Sequence, residues 1–260
     1  MRFISFASGS TGNCSLLSEG STHILIDAGI SMRRITKCLA QLGLSDADVA
    51  GVLITHEHRD HTAALATMAK KGKMRIYAPR TVANHLRWTV SGMDEIINII
   101  NVNEAFSLGE VSVTAFHTSH DTDESVGYVF QAEARFGYCT DTGCVTEDML
   151  SVLTGVDAAA IEANHDEMLL RYGSYPYYLK RRVLSDRGHL SNEASAKLAE
   201  KLCMSGAKKI VLAHLSRENN RPELALQAVE QHLEERGLHP EIHAAPMDGF
   251  CCIEFEGSGE

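Results

Sequence analysis

No run of apolar residues in this sequence approaches the roughly 20 needed to cross a bilayer as a helix. The opening segment, Met1 to Ser10, carries one Arg and a short apolar stretch interrupted by Ser and Gly, so the continuous apolar core of a secretory signal is missing. There is no Cys-x-x-Cys pair. The seven cysteines, Cys14, Cys38, Cys139, Cys144, Cys203, Cys251 and Cys252, are odd in number and scattered, and they read as inert free thiols of a cytoplasmic protein. Positive charge is also short. With 24 Lys and Arg against 34 Asp and Glu the formal charge is −10, which argues against broad electrostatic attachment to nucleic acid. It leaves a nuclease open, because bound dications offset negative charge locally. No internal repeat or low-complexity tract is present, and the tail from Gly257 to Glu260 is expected to be loose.

What is present reads as one domain over residues 1–260, since 44% hydrophobic and 22% charged residues are ordinary for a globular chain able to bury a core. Short apolar runs alternate with helical patterns. Strands are expected over Arg2–Ala7, Cys14–Ser18, His23–Asp27, Val49–Thr55, Met74–Ala78, Val111–Phe116, Val126–Ala132, Phe136–Thr140, Ala158–Glu162, Lys209–Ala213, Glu241–Ala244 and Gly249–Phe255. Helices are expected from Ser31 to about Leu42, stopped by Gly43, over Asp60–Lys71, Thr81–Val90, Glu147–Leu153 and Asn192–Met204 behind an N-cap at Ser191, and over Pro222–Arg236. This order predicts an α/β chain of two sheets with helices outside, a four-layer αββα sandwich.

The strongest chemical signal is Thr55-His56-Glu57-His58-Arg59-Asp60-His61. It follows a buried strand and opens a helix. In an extended segment His56 and His58 point the same way, while Asp60 and His61 begin the helix and can turn toward a second metal. Imidazole and carboxylate donors suit zinc, iron or manganese.

His56-x-His58-x-Asp60-His61 resembles the signature of the metallo-β-lactamase superfamily. The resemblance implies further ligands at the ends of later strands, and the sequence offers His120, Asp141 and His214 in order. His117 competes with His120, and His165 is an alternative late ligand. The implied sites are His56, His58, His120 and Asp141 on one divalent ion, and Asp60, His61, Asp141 and His214 on another. Asp141 bridges them, and with Asp60 it counts among the catalytic groups. The diiron oxidoreductases of this fold carry Glu where this chain has His58, which favours hydrolysis. True β-lactamases are usually exported, and no export signal is seen.

Gly188-His189-Leu190-Ser191-Asn192 resembles the Gly-His segment of phosphodiesterases in this superfamily, which implies that His189 stabilises phosphate in the transition state. Just before it, Tyr172 to Arg182 holds four tyrosines and a Lys180-Arg181-Arg182 run, where aromatic faces suit bases and cations suit phosphates. Ser8-Gly9-Ser10-Thr11-Gly12-Asn13 can let backbone approach a ligand closely. Expected substrate contacts are Ser10, Asn13, Lys180, Arg182, Ser191 and Asn192. Together these motifs resemble the YycJ (WalJ) family, over most of the chain. The resemblance implies a phosphodiesterase with DNA 5′→3′ exonuclease activity, acting on DNA or a small phosphodiester. It lacks room for the inserted domain of the RNA-cleaving β-CASP nucleases. Hydrolysis of a small ester, lactone or cyclic phosphodiester, and a metal-stabilised binding protein without turnover, are the competing expectations.

Overall fold

A computed structural model describes residues 1–257; residues 258–260, in the tail expected to be loose, lie outside the described residues. The strands are β1 (Arg2–Ala7), β2 (Cys14–Glu19), β3 (Thr22–Ile26), β4 (Val49–Leu53), β5 (Ile76–Pro79), β6 (Ile97–Ile100), β7 (Ala105–Leu108), β8 (Val111–His117), β9 (Val126–Gln131), β10 (Arg135–Cys139), β11 (Ala158–Glu162), β12 (Lys209–Ala213), β13 (Glu241–Ala244) and β14 (Cys251–Glu254). The helices are α1 (Met32–Gln41), α2 (Arg59–Thr62), α3 (Leu65–Lys71), α4 (Arg80–Thr89), α5 (Glu147–Leu153), α6 (Glu167–Tyr172), α7 (Tyr177–Val183), α8 (Asn192–Met204) and α9 (Pro222–Glu234).

One seven-stranded sheet runs β14-β1-β2-β3-β4-β5-β6 and the other β13-β12-β11-β10-β9-β8-β7. Each is half antiparallel and half parallel: β3 to β6 pair in parallel, as do β10 to β13. The inner faces share a core in which Phe3 stacks on Phe136 at 4.8 Å between ring centroids. Outside the first sheet, Ile35 and Leu39 of α1, Leu65 and Met68 of α3 and Leu86 of α4 close a second core. Outside the other, Leu153 of α5, Leu198 and Leu202 of α8 and Val229 of α9 close a third. Apolar side chains on both faces of both sheets require this four-layer αββα arrangement.

Three regions depart from the expected pattern. The helix expected over Asp60–Lys71 is split into α2 and α3, because the Ala64 amide donates to the Ala28 carbonyl at 2.9 Å instead of continuing a single helical ladder. The edge strands β6 and β7 were not anticipated; at four residues each they give little periodicity to read. Nor were α6 and α7, short helices in a segment rich in tyrosine and interrupted by Gly173 and Pro176. Ser191 does cap α8, accepting from Ala194 N at 3.2 Å.

Candidate metal centre

The carboxyl ends of the parallel strands point to one edge of the sandwich, where ligands collect in open α/β sheets. Asp27 follows β3, Thr55 and His56 follow β4, Asp141 follows β10, Glu162 ends β11 and His214 follows β12. Of the four non-glycine residues with positive φ among the described residues, three are Asp27 (60°), Asp141 (57°) and His214 (56°). The chain accepts left-handed backbone here to turn these side chains inward, a strain typical of functional sites.

The turn carrying His56 to His61 is clasped by two others. Asn13 N donates to Asp60 O at 2.7 Å, Ala28 N to His61 O at 2.8 Å, and Gly29 N to Asn13 O at 2.8 Å. This approach is why position 29 is glycine: a Cβ there would overlap the Asp60 carbonyl.

Five imidazoles each have a hydrogen-bonding oxygen behind Nδ1. His61 Nδ1 donates to Asp27 Oδ2 at 2.8 Å. His120 Nδ1 donates to Gly188 O at 3.1 Å. Thr55 Oγ1 is hydrogen-bonded to Asp27 at 3.0 Å, and His56 Nδ1 lies 3.0 Å from that hydroxyl. Glu162 Oε1 takes both His189 Nδ1 at 2.7 Å and His214 Nδ1 at 2.9 Å. Each partner holds a proton on Nδ1 and turns Nε2 inward, the usual support for a ligating histidine. His58 completes the set, with Nδ1 3.0 Å from His56 Nε2.

Donor atoms from His56, His58 and His120 lie within 4.8 Å of one another, and so do those from Asp60, His61 and His214. Asp141 stands between: Oδ1 is 3.8 Å from His120 Nε2 and 3.5 Å from His214 Nδ1, and Oδ2 is 3.4 Å from His61 Nε2. Asp141, Glu162, His189 and His214 form another possible group. Asp141 Oδ2 and His214 Nε2 are buried without a hydrogen-bond partner, although buried polar atoms are nearly always paired. Such orphaned donors, all imidazole or carboxylate, fit a divalent cation.

The electrostatics agree. Burial alone would lower the pKa of His61, but the charges of Asp27, Asp141 and Asp60 outweigh it and raise it to about 9. Burial likewise opposes, and Asp141, Asp60 and Glu162 reverse, the shift at His214, whose pKa is raised. His56 and His120 go the other way, lowered chiefly by burial. Burial would raise the Glu162 carboxyl, yet His189 and His214 hold it below the ordinary carboxylate range. Asp60 and Asp141 are lowered as Glu162 is, against burial and by the surrounding histidines, whereas burial pushes the Asp27 carboxyl up despite His61.

His117 is exposed at the end of β8 and His165 is buried; neither belongs to the groups above, whereas His120 does. A cleft of about 250 Å³ opens on the cluster, lined by His58, Asp60, His120, Asp141, His189 and His214, and its wall includes Ser10 and Arg182. The other expected substrate contacts do not line this cleft. Asn13 is buried, accepting from Gly9 N at 2.8 Å and lying 3.0 Å from His61 Nε2. Ser191 is spent as the cap of α8, and Asn192 pairs with Asn220 at 3.0 Å. Lys180 Nζ donates to the carbonyls of Arg171 and Gly173, at 2.9 and 2.8 Å.

Asp27 and Glu162 were missed in the sequence, and so was Arg187, whose guanidinium holds the carbonyls of His120 and Thr122 at 2.9 and 2.6 Å. A lone carboxylate closing an apolar strand was the available signal for Asp27 and Glu162.

Residues 22–215 match the family described as the Beta-lactamase superfamily domain. Exodeoxyribonuclease YycJ of Bacillus anthracis is 38% identical over 240 residues, 92% of this chain and 91% of that protein. Exodeoxyribonuclease WalJ of Streptococcus pneumoniae (serotype 2) is 36% identical over 241 residues, 89% and 88%. The chain belongs to the YycJ/WalJ family of the metallo-β-lactamase superfamily. Zn²⁺-bound PqqB from Methylobacterium extorquens superposes with a TM-score of 0.74, covering 98% of this chain and 100% of that one, at 20% identity that speaks for the fold alone. In this YycJ/WalJ-family chain the His/Asp cluster occupies one edge of the sandwich. A larger cavity of about 750 Å³, lined by Arg2, His23 and Lys209 at the opposite strand ends, holds no comparable cluster among the described residues.

Proposed function

We propose that this YycJ/WalJ-family chain is a metal-dependent phosphodiesterase that removes nucleotides from a 5′ end of DNA. The observation that carries it is the convergence of six histidines and two aspartates on one cleft in a chain 38% identical to an exodeoxyribonuclease. His56, His58, His120 and Asp141 would hold one ion, and Asp60, His61, Asp141 and His214 the other. Two divalent ions of zinc, manganese or iron supply Lewis acidity and an activated water when bound.

The chain does the rest. Asp27 and Glu162 keep protons on Nδ1 of His61, His189 and His214 and so aim Nε2 into the cleft. His189, turned inward by Glu162, meets the phosphate and stabilises charge developing on its oxygens. Arg182, tied to Asp121 at the cleft wall, and Ser10 contact the substrate. Asp60, whose carboxyl burial would raise but His214 and His61 hold below the ordinary range, stays ionised and available as a ligand.

The small cleft favours one competing reading, hydrolysis of a small ester or cyclic phosphodiester. A 5′-labelled duplex and bis-p-nitrophenyl phosphate, each offered with Mn²⁺ or Zn²⁺, separate the two. Release of labelled mononucleotide, abolished by EDTA and by Asp60→Ala and strongly reduced in His189→Ala, is expected. Cleavage of the small ester without DNA degradation would favour the competitor, and bound metal without turnover on either would favour a binding role. We also read residues 1–260 as one domain, since both sheets share a core. A cytoplasmic location is supported by seven cysteines that are all free and by the lack, among the described residues, of any helix long and apolar enough to cross a membrane.

A further inference from the structure

The α6–α7 corner exposes what most of the chain hides. Tyr172, Tyr177 and Tyr178 are 80%, 76% and 73% exposed, although tyrosine rings usually bury most of their area. The corner is braced: Lys180 ties α7 to the end of α6 through the Arg171 and Gly173 carbonyls. It is also continuous with the cleft. Leu179, Arg182 and Val183, one stripe of α7, line the cleft together with Tyr175. Tyr178 precedes Arg181 and Arg182 by three and four residues, so its ring shares a helix flank with two guanidinium groups beside that stripe.

The charge is local and opposite to that of the molecule. The chain carries −10, yet Arg171 to Arg182 holds four cations and no Asp or Glu. Glu167 and Asp121 pair with Arg171 and Arg182 from outside the segment. Arg181 is exposed and makes no salt bridge among the described residues. Rings interleaved with cations match a polyanion that also offers flat aromatic faces.

We infer that this corner is a stacking platform for the unpaired nucleotides of the strand that enters the cleft, an inference that rests on the nuclease reading above. Except for the outer face of a terminal pair, a duplex hides the faces of its bases inside the stack, so successive tyrosine rings suit the bases of an unpaired strand. A cleft of about 250 Å³ falls below the roughly 300–1,000 Å³ of ordinary small-molecule sites, which suits one nucleotide of a strand better than a pair. A strand that leaves its complement before reaching the cluster would expose its bases beside the cleft, where Tyr172, Tyr177 and Tyr178 are exposed. Loss of one base–ring stack weakens binding by roughly 5- to 150-fold.

The test uses the metal-loaded full chain and a single-stranded phosphorothioate oligonucleotide of about 12 nucleotides, which resists hydrolysis and reports binding by fluorescence anisotropy. Replacing Tyr172, Tyr177 and Tyr178 together by Ala is expected to weaken single-strand binding at least about tenfold and blunt-duplex binding far less. Replacing all three by Phe should preserve both. Degradation of 5′-tailed DNA should fall relative to bis-p-nitrophenyl phosphate hydrolysis. Wild-type single-strand affinity in the alanine variant would overturn the inference, as would equal weakening for single strand and duplex. A changed oligomeric state in that variant would assign the rings to a protein contact and overturn it too. Were the wild type to cleave no phosphodiester, the nuclease reading would fail while the anisotropy still decided the platform.

Discussion

Glu162 holds His189 by a 2.7 Å hydrogen bond from Nδ1, and the same carboxylate oxygen lies 2.9 Å from His214 Nδ1. Its other oxygen accepts from Thr142 N at 3.0 Å and Leu190 N at 3.1 Å. One buried side chain thus orients a proposed catalytic histidine and a proposed ligand, and anchors the loops that follow β10 and precede α8.

In Glu162→Gln the amide can no longer accept at both ends, so one backbone donor or one imidazole loses its partner. The expected cost is about 1.5–3 kcal/mol, the worth of hydrogen bonds to a charged group, read by urea denaturation. Turnover should fall more than KM rises, because His189 loses its aim rather than the substrate its cleft. A variant with wild-type kcat would remove Glu162 from the positioning role.

Asp27 supports the other side of the cluster, with neither its side chain nor that of His61 exposed. Asp27→Asn should weaken metal binding by roughly 10- to 100-fold, as loss of a ligand's hydrogen-bond partner usually does. Competition against a chromogenic chelator measures it. Undiminished affinity would mean that His61 needs no such partner.

The metal-free protein should lose stability as the pH rises. A histidine whose pKa goes up on folding, here His61 from about 6.5 to about 9, stabilises the fold fully below about pH 6.5 and ceases to do so as the pH passes its folded value. Across that window EDTA-treated protein should lose on the order of 3 kcal/mol, followed by urea unfolding at pH 7 and pH 9.5. The metal-loaded protein should lose less, because ligating imidazoles have already given up the proton. Equal slopes with and without EDTA would contradict this.

Gly29→Ala tests the clasp around the histidine turn. The added methyl overlaps the Asp60 carbonyl oxygen, a backbone atom that cannot swing aside as a flexible side chain can. Destabilisation of about 1–3 kcal/mol or more is expected, with metal affinity reduced alongside, since Asp60 and His61 move with that carbonyl. A thermal melt coincident with wild type would show that the two turns can part freely.

Much of this protein could be read from local pattern alone. The strand Val49–Leu53 followed by His56-x-His58-x-Asp60-His61 is a contiguous signal, and the helix capped by Ser191 needs only its own residues. Alternating apolar runs and amphipathic helices determined the layer order, because each element must bury its apolar face whatever its partner is. Tertiary structure alone could choose His120 over His117, since the choice depends on where the loop after β8 is held by Gly188 and Arg187, some 70 residues away. It also removed Asn13, Lys180, Ser191 and Asn192 from the cleft wall and spent them on loop bracing and capping. Asp27 and Glu162 gained their importance the same way. A carboxylate at a strand end has no meaning in sequence until parallel pairing brings a histidine from another strand within hydrogen-bonding distance, and that pairing is a property of the whole chain.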